Sequence, residues 1–289
     1  YSMSHEDGEN HLPGLIRSAD PARFFAAQFI PEPQRVDILA LYAFDLEMEK
    51  ITRTTREAMA GEIRLQWWRE VFHGERDAEA SASPLAHIML EITRRHAILP
   101  DVLSNYLDGR IFDLYDDAIE DQQGFEAYAG QTEGTILQLS CLVLDRARSA
   151  QAAELSGYLA CMLTLWRRVL RPLLTDRTEA HQRAARYLPP HIRQAAGMSA
   201  NPFLNSQSAD RKQAIGQICA FAESYRLRAI TAAAAVPATL RPAFLQLAPV
   251  SMQLSKATRL SGDSGTAAEL STARLIWHLW RASKRWPCF

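Results

Sequence analysis

The sequence predicts an all-α protein, a single domain of about ten helices. It is rich in strong helix formers, namely Ala, Leu, Arg, Gln and Glu. No stretch alternates Val, Ile and Thr with polar residues over the length of a strand, which argues against a sheet. Only 13 Gly and 14 Pro occur in 289 residues, and most of them stand where a helical pattern stops.

Local signals predict where these helices begin and end. Asp20 followed by Pro21 is typical of an N-cap and a first helical position. We expect Gly61 to separate two helices and Pro172 to end one, and we expect irregular structure over 175–209. The predicted helices cover approximately residues 21–29, 34–59, 63–68, 88–92, 101–114, 125–146, 152–170, 210–235, 241–260 and 267–284.

Composition limits the class of protein. With 47% hydrophobic residues and a formal net charge of -1, the chain does not fit a disordered protein. A sequence pI near 6.8 argues against a nucleic-acid partner. No apolar run approaches the roughly 20 residues of a membrane-spanning helix, and the polar, acidic first ten residues do not fit a secretory signal. We expect a polar or disordered tail over 1–14 and one helical domain over 15–289.

Several enzyme classes lack their motifs in this sequence. There is no G-x-G-x-x-G, no Walker loop, no G-x-S-x-G and no H-E-x-x-H. The four cysteines form no C-x-x-C pair, so we expect buried thiols in a reducing compartment. The remaining candidates for chemistry are carboxylates carried on helices.

Two acidic clusters are the candidate metal sites. They lie in LYAFDLEMEK and GRIFDLYDD and comprise Asp45, Glu47 and Glu49 in the first, and Asp113, Asp116 and Asp117 in the second. Helical spacing places Asp45 and Glu49 on one face with Glu47 elsewhere, and aligns Asp113 with Asp116 or Asp117. Mg²⁺ prefers such oxygen ligands together with substrate phosphate. The alternative for the first cluster is a solvated acidic surface, and acidic runs like the second are common near helix ends.

Two further stretches carry polar side chains within apolar helices. In YAGQTEGTILQLS (128–140), each of two glycines costs about 1 kcal/mol relative to Ala, which indicates a close approach by a backbone or a ligand. Its polar side chains, Gln131, Glu133 and Gln138, are candidates to line a pocket. LTLWRRVLR (163–171) carries three arginines that form either an anion site or an ordinary basic surface: Arg167, Arg168 and Arg171.

Taken in order, these stretches resemble the squalene/phytoene synthase family, all-α enzymes that join two prenyl diphosphates head to head. FFAAQFIPEPQRVDILALYAF (24–44) is similar to the helices that lead into the family's first Asp-rich motif. ARYLPPHI (185–192) is similar to the segment after its second. The resemblance covers residues 15–205 and implies an isoprenoid-synthase-like helical bundle around a central cavity.

Both Asp-rich motifs depart from the family pattern. Arg53 stands where the last Asp of the first motif is expected. When Thr164 is aligned with the Thr of the second motif, Val169 replaces an Asp, and the shifted alignment places Pro172 there instead. The family neutralises a diphosphate leaving group of about three negative charges with Mg²⁺ held by both motifs. The resemblance therefore implies the fold without the head-to-head reaction.

One branch of the family shows the same loss. AFDLEMEKI, GEIRLQWWRE and YAGQTEGTILQLS resemble bacterial proteins related to a mitochondrial assembly factor of respiratory complex I, with counterparts of Glu47, Gln66, Trp68, Tyr128 and Thr132. This implies a non-catalytic assembly or lipid-binding factor in the bacterial cytoplasm or the mitochondrial matrix. One alternative is a working prenyltransferase that requires Mg²⁺. Another is an interaction module whose interior is filled by Trp67, Trp68, Phe112 and Tyr128.

The candidate site residues fall into two groups. The cavity or substrate-binding candidates are Tyr42, Asp45, Glu47, Glu49, Arg64, Tyr128, Gln131, Gln138 and Arg168. The candidate metal ligands are Asp45, Glu49, Asp113 and Asp117. We expect no cofactor for a non-catalytic protein and Mg²⁺ for an active one. The expected partners are a prenyl diphosphate or another lipid, a client protein, and a membrane surface contacted peripherally.

The last residues suggest where such a membrane contact would lie. LIWHLWRASKRWPCF mixes aromatic and basic residues, namely Trp277, Trp280 and Trp286 with Arg281, Lys284 and Arg285. Such a mixture fits the headgroup boundary of a membrane. Packing of a terminal helix against the core is the alternative.

Overall fold

The computed structural model describes residues 5–55, 57–174, 183–198, 208–260 and 270–289, which form helices, turns and loops but no β-strand. The predicted all-α class is confirmed. The helices are α1 (His5–Ala19), α2 (Pro21–Ala27), α3 (Gln34–Thr54), α4 (Ala58–Phe72), α5 (Asp77–Ala82), α6 (Pro84–Arg95), α7 (Pro100–Ile111), α8 (Gln122–Ala129), α9 (Thr135–Leu144), α10 (Ala153–Thr164), α11 (Arg171–Leu173), α12 (Pro190–Ala195), α13 (Ser208–Ala232), α14 (Leu247–Leu260) and α15 (Thr272–Ser283).

The first helices follow some of the sequence signals and not others. Helix α1 begins at His5, inside the segment predicted as a polar tail. Asp20 caps α2 as expected, because its side chain accepts a hydrogen bond from the backbone N–H of Arg23 at 3.1 Å. The prediction for Gly61 was wrong, since α3 already ends at Thr54 and Gly61 lies inside α4. A Cβ at Gly61 would collide with the side chain of Leu114, so close packing explains this glycine.

Two of the predicted long helices each contain a π-helical segment. Gly130–Gly134 joins α8 to α9, and Leu165–Leu170 joins α10 to α11. A π-helical turn adds a residue to the helix turn and often occurs at functional sites. Here the two segments carry Glu133 and Arg167, whose side chains meet at 2.8 Å.

Two large apolar clusters form the core. One is built mainly from α3, α4, α6 and α7, and the other mainly from α10, α13 and α14. A smaller cluster joins α2 to α15. Helices α8 and α9 contribute to the large clusters, so polar residues at their junction lie close to both.

The later part of the chain is described incompletely. Residues 175–182 and 199–207 of the segment predicted to be irregular lie outside the described residues, while 190–195 form α12. The helix predicted from residue 267 begins at Thr272 in the part that is described. Within the described ranges, no helix has the length and apolar character needed to span a bilayer.

Candidate functional site

Charged side chains from several helices meet at one buried point of the bundle. They come from α2 and its cap, from α3, from the end of α7 and the turn after it, and from both π-helical segments. We call this set the arginine–carboxylate centre; it comprises Arg23, Arg110, Arg167, Arg168, Asp20, Asp45, Glu49, Asp113 and Glu133. Four guanidinium groups thus face five carboxylates, so their formal charges nearly cancel.

Asp45 is the most enclosed carboxylate of the centre, with a side chain 0% exposed. Its Oδ1 accepts hydrogen bonds from the Tyr106 hydroxyl at 2.5 Å and from Arg110 Nη2. Its Oδ2 accepts a hydrogen bond from Arg23 Nη1 at 2.5 Å. Both oxygens are therefore held by charge-assisted or hydroxyl donors, which is the arrangement that makes a buried carboxylate tolerable.

Asp113 lies in the short 3₁₀ turn after α7 and is enclosed from two sides. The hydroxyls of Tyr128 and Tyr187 donate to its Oδ1 at 2.7 and 2.6 Å. Its Oδ2 lies 3.3 Å from Arg110 Nη1 and 3.7 Å from Arg168 Nη2. Arg110 therefore links Asp113 to Asp45 and connects the two parts of the centre.

The π-helical segments complete the network. Glu133 Oε2 lies 2.8 Å from Arg167 Nη1 and 3.3 Å from Arg23 Nη2. Arg167 Nη2 also lies 2.9 Å from the carboxylate of Asp20, the cap of α2. Through these contacts, Arg167 ties the start of α2 to the junction of α8 and α9.

Electrostatics fix the protonation states inside the centre. Burial by itself would raise the pKa of Asp45, but the guanidinium groups of Arg110 and Arg23 outweigh it and hold that pKa well below its ordinary range. The pKa of Asp113 is lowered in the same way, against burial, by Arg168 and Arg110. Burial raises the pKa of Tyr187 to about 12. At neutral pH Asp45 and Asp113 are therefore ionised, and the Tyr187 hydroxyl is a neutral donor.

The centre does not fit the Mg²⁺ that the family resemblance implies. Mg²⁺ needs nearly octahedral coordination by several oxygens, whereas both oxygens of Asp45 and of Asp113 already face arginines or tyrosines. The Oε1 atom of Glu133 is buried without a hydrogen-bond partner, and one such oxygen does not make a metal site. Over the described ranges, no group of three or more His, Cys, Asp or Glu side chains is arranged to hold a metal ion.

The structure brings four of the candidate site residues together. Asp45, Glu49, Tyr128 and Arg168 all belong to the centre or bond to it, and Glu49 Oε1 lies 2.7 Å from Arg168 Nη2. Tyr42 is buried at its edge, where its ring lies 4.8 Å from the guanidinium carbon of Arg23.

Four other candidates lie elsewhere. Glu47 is directed away from Asp45 and lies 3.5 Å from Lys50. Arg64 is exposed on α4, and Gln131 is exposed beside Gly109. Gln138 donates a hydrogen bond to the hydroxyl of Ser156 at 2.7 Å.

The predicted alignment of the second acidic cluster on one helix face is wrong. Helix α7 ends at Ile111 and the 3₁₀ turn ends at Leu114, so Asp116 and Asp117 follow in a loop and are exposed. Asp113 alone turns inward, because Tyr128, Tyr187, Arg110 and Arg168 surround it. The Asp113 side chain is therefore buried whereas Asp117 is exposed, and the two do not share one site.

Aromatic side chains fill the space beside Asp113. The rings of Phe112 and Tyr128 are 5.3 Å apart, and Tyr187 lies 5.4 Å from Tyr128. Trp68 packs against Phe44 at 5.1 Å in the cluster of α3 and α4. Trp67 is only partly buried and donates to Glu79. Of the four aromatics expected together in one alternative, the structure places two beside the centre.

Sequence reasoning did not single out Arg23, Arg110, Tyr106 or Tyr187. A signal existed for Arg110, because it precedes Asp113 by one helical turn, the spacing of an ion pair. Arg23 stands in the apolar stretch PARFFAAQF, where a lone charge indicates a buried partner.

Known proteins resemble this chain in sequence and in structure. The model of the squalene/phytoene synthase family matches residues 16–281. The bovine protein described as NADH dehydrogenase (ubiquinone) complex I, assembly factor 6 is 24% identical over 258 residues, covering 86% of this chain and 73% of that protein. The human protein of the same description is also 24% identical over 258 residues, with the same coverage.

Two solved structures share the fold. A dehydrosqualene synthase in complex with a ligand superimposes with a TM-score of 0.75 at 13% identity, covering 97% of this chain and 98% of that one. YisP from Bacillus subtilis has a TM-score of 0.58 at 15% identity, with coverage of 94% and 96%. At these identities the likeness establishes the helical architecture.

Proposed function

This chain belongs to the squalene/phytoene synthase family, and from that premise we propose that it acts without catalysis, as an assembly factor of respiratory complex I. The observation that carries the proposal is the arginine–carboxylate centre. Arginines of this chain form ion pairs with the carboxylates that would otherwise be available to a metal–diphosphate complex.

The chemistry of a prenyl diphosphate explains why this matters. Its ionisation releases a leaving group of about three negative charges, and catalysis depends on stabilising them where they develop. Guanidinium groups do bind diphosphates. In this centre, however, they are directed at buried carboxylates, so turning them towards a substrate would leave Asp45 and Asp113 buried and uncompensated.

The sequence relatives support the assembly role. The mammalian proteins that this chain matches over 86% of its length are described as assembly factors of complex I. Under this proposal the partner is a protein client within the forming complex. The location is the compartment where that complex is built, the bacterial cytoplasm or the mitochondrial matrix.

A deletion strain tests the assembly role directly. Loss of this protein is expected to lower the amount of intact complex I on native gels and its NADH:quinone activity, and the wild-type chain is expected to restore both. Asp117→Ala is the matched variant, because Asp117 is exposed outside the centre and we expect its loss to leave the fold intact. We expect full complementation by Asp117→Ala, whereas a prenyltransferase using Asp113 and Asp117 as ligands would lose activity.

A second experiment tests the absence of catalysis. Purified protein is incubated with farnesyl or geranylgeranyl diphosphate and Mg²⁺, and the products are extracted and analysed. We expect no squalene, presqualene diphosphate or phytoene, and turnover to any of them would overturn the proposal. Calorimetry with the same diphosphates, with and without Mg²⁺, measures lipid binding separately, and we expect any binding to be independent of the metal.

A further inference from the structure

Helix α15 (Thr272–Ser283) presents apolar side chains on two opposite faces. One face is buried: Leu275, Leu279 and Ala282 pack into the small cluster with Ala26 and Ala248. This spacing is the ordinary pattern of a surface helix that covers a core. It accounts for one side of α15 only.

The opposite side carries large apolar residues in solvent. Ile276, Trp277 and Trp280 are 42%, 56% and 53% exposed. At about 100° per residue, the two tryptophans lie on the far side of the helix from Leu275 and Leu279. We call Ile276, Trp277 and Trp280 the tryptophan face of α15. Neighbouring exposed tryptophans on one helix mark an interaction site more often than isolated apolar residues do.

Basic side chains surround this face. From Ser271 to Phe289 the sequence has no Asp or Glu, and its exposed charged residues are Arg274, Arg281, Lys284 and Arg285. The guanidinium carbon of Arg281 lies 4.7 Å from the centre of the Trp277 ring. Trp286, in contrast, is turned inward, because its Nε1 donates to the carbonyl of Ala233 at 2.9 Å. Within residues 271–289, the aromatic and cationic groups that reach solvent therefore lie on α15 and the turn after it.

We propose that the tryptophan face of α15 docks this protein onto an anionic membrane surface. In such a contact the indole rings enter the headgroup boundary, and the surrounding cations pair with lipid phosphates. The buried face of α15 keeps the helix attached to the bundle, so the contact is peripheral. This inference does not depend on the role in complex I assembly.

Helix α4 shows why the charge matters. It also exposes large apolar residues, Met59 at 70% and Ile63 at 65%. Their surroundings mix the carboxylates of Glu62 and Glu70 with the guanidinium groups of Arg69 and Arg76, so this surface carries no excess of positive charge to attract an anionic bilayer. Exposed apolar area is therefore common to both helices, and only α15 combines it with uniformly positive charge.

The experiment measures sedimentation of the full chain with vesicles. Vesicles of phosphatidylcholine alone are compared with vesicles containing phosphatidylglycerol. We expect wild-type protein to bind the anionic vesicles and to bind the neutral ones far less. We expect Trp277→Ala/Trp280→Ala to weaken binding about tenfold or more. Arg274→Gln/Lys284→Gln is expected to weaken binding to anionic vesicles about fivefold per charge, since each cation near such a surface contributes a similar factor.

Met59→Ala/Ile63→Ala is the matched control, because it removes two exposed apolar side chains from the other helix. Its binding is expected to equal that of the wild type, and circular dichroism verifies that each variant remains folded. Failure of the wild-type chain to sediment with anionic vesicles would overturn the proposal. So would equal losses in the α4 and α15 variants, because binding would then not depend on the tryptophan face.

Discussion

The arginine–carboxylate centre and the surface of α4 and α5 use the same chemistry in opposite environments. At the surface, Arg76 donates to Glu70 at 2.7 Å and to Glu79 at 2.8 Å, and Trp67 also donates to Glu79. In the centre, Arg23 and Arg110 hold Asp45 with comparable geometry. Arg76 is 43% exposed, whereas the side chains of Asp45 and Arg110 are 0% exposed. Burial is the main difference between the two regions.

The two regions shift carboxylate pKa values in the same direction for different reasons. Hydrogen bonds from Arg76 lower the pKa of Glu79, with little burial to oppose them. In the centre, burial opposes ionisation of Asp45, and the neighbouring arginines must first overcome it. A lowered pKa therefore does not by itself reveal how much a residue contributes to the free energy of unfolding. That contribution depends on the free-energy cost of leaving the remaining group without its partner, which is large for a buried charge.

Removing Asp45 is expected to have the largest effect. Asp45→Ala leaves Arg23 and Arg110 buried without their main counter-charge, and breaking a buried pair in this way costs about 3–5 kcal/mol. Urea unfolding followed by circular dichroism measures the loss in the free energy of unfolding. Asp45→Asn, which keeps the shape but not the charge, should show a loss in the same direction. An unchanged unfolding midpoint for both variants would contradict the expectation that buried ion pairs contribute more to stability than those at the surface.

Removing one hydroxyl from the centre is expected to have an intermediate effect. Tyr187→Phe deletes the donor that lies 2.6 Å from Asp113 Oδ1, and a hydrogen bond to a charged group contributes about 1.5–3 kcal/mol. Tyr158→Phe is the matched control, because the hydroxyl of Tyr158 donates to Glu154 at the surface at 3.2 Å. We expect a clear shift in the urea midpoint for the first variant only. Equal shifts would show that burial does not decide the outcome.

The sequence predicted the local features of this molecule better than its long-range contacts. The helical class, the cap at Asp20 and the position of the tryptophans on a basic helix all follow from local patterns that need no partner. The shared face of Asp45 and Glu49 also follows from spacing on a single helix. Each of these inferences depends on residues within a few turns of one another.

The arginine–carboxylate centre was not predictable in the same way. Arg23 meets Asp45 across 22 positions and Glu133 across 110, and Arg186 and Tyr187 reach Asp113 from more than 70 positions away. Periodicity carries no information about such distant pairs. The loss of Asp at positions 53 and 169 indicated that metal ligands were missing, but it did not indicate that arginines already present would occupy the remaining carboxylates.

Acid should reduce the stability that the centre provides. The pKa of Asp113 is lowered in the folded chain from its ordinary value of 3.8, so its contribution is fully present above that pH. It is lost as the pH falls below 3.8 towards the folded pKa. The difference in unfolding free energy between wild type and Asp113→Asn should therefore be constant from pH 7 to pH 5. By pH 3 it should narrow by at most about 1 kcal/mol, since one pH unit corresponds to about 1.4 kcal/mol per proton. A difference that widens on acidification would contradict the assigned charge state.

The smallest effect is expected at the surface of α4 and α5. Arg76→Gln removes two hydrogen-bonded ion pairs, yet Glu70, Glu79 and the arginine itself are solvated, so water and salt replace the lost contacts. We expect its urea midpoint to match that of the wild type within error, at both low and high salt. Arg76 makes hydrogen bonds to two carboxylates, as Arg23 does to Asp45 and Glu133, so these two arginines are matched in hydrogen-bonded carboxylates and differ in burial. A loss at Arg76 as large as that of Asp45→Ala would show that contact number, and not burial, determines the contribution of an arginine in this fold.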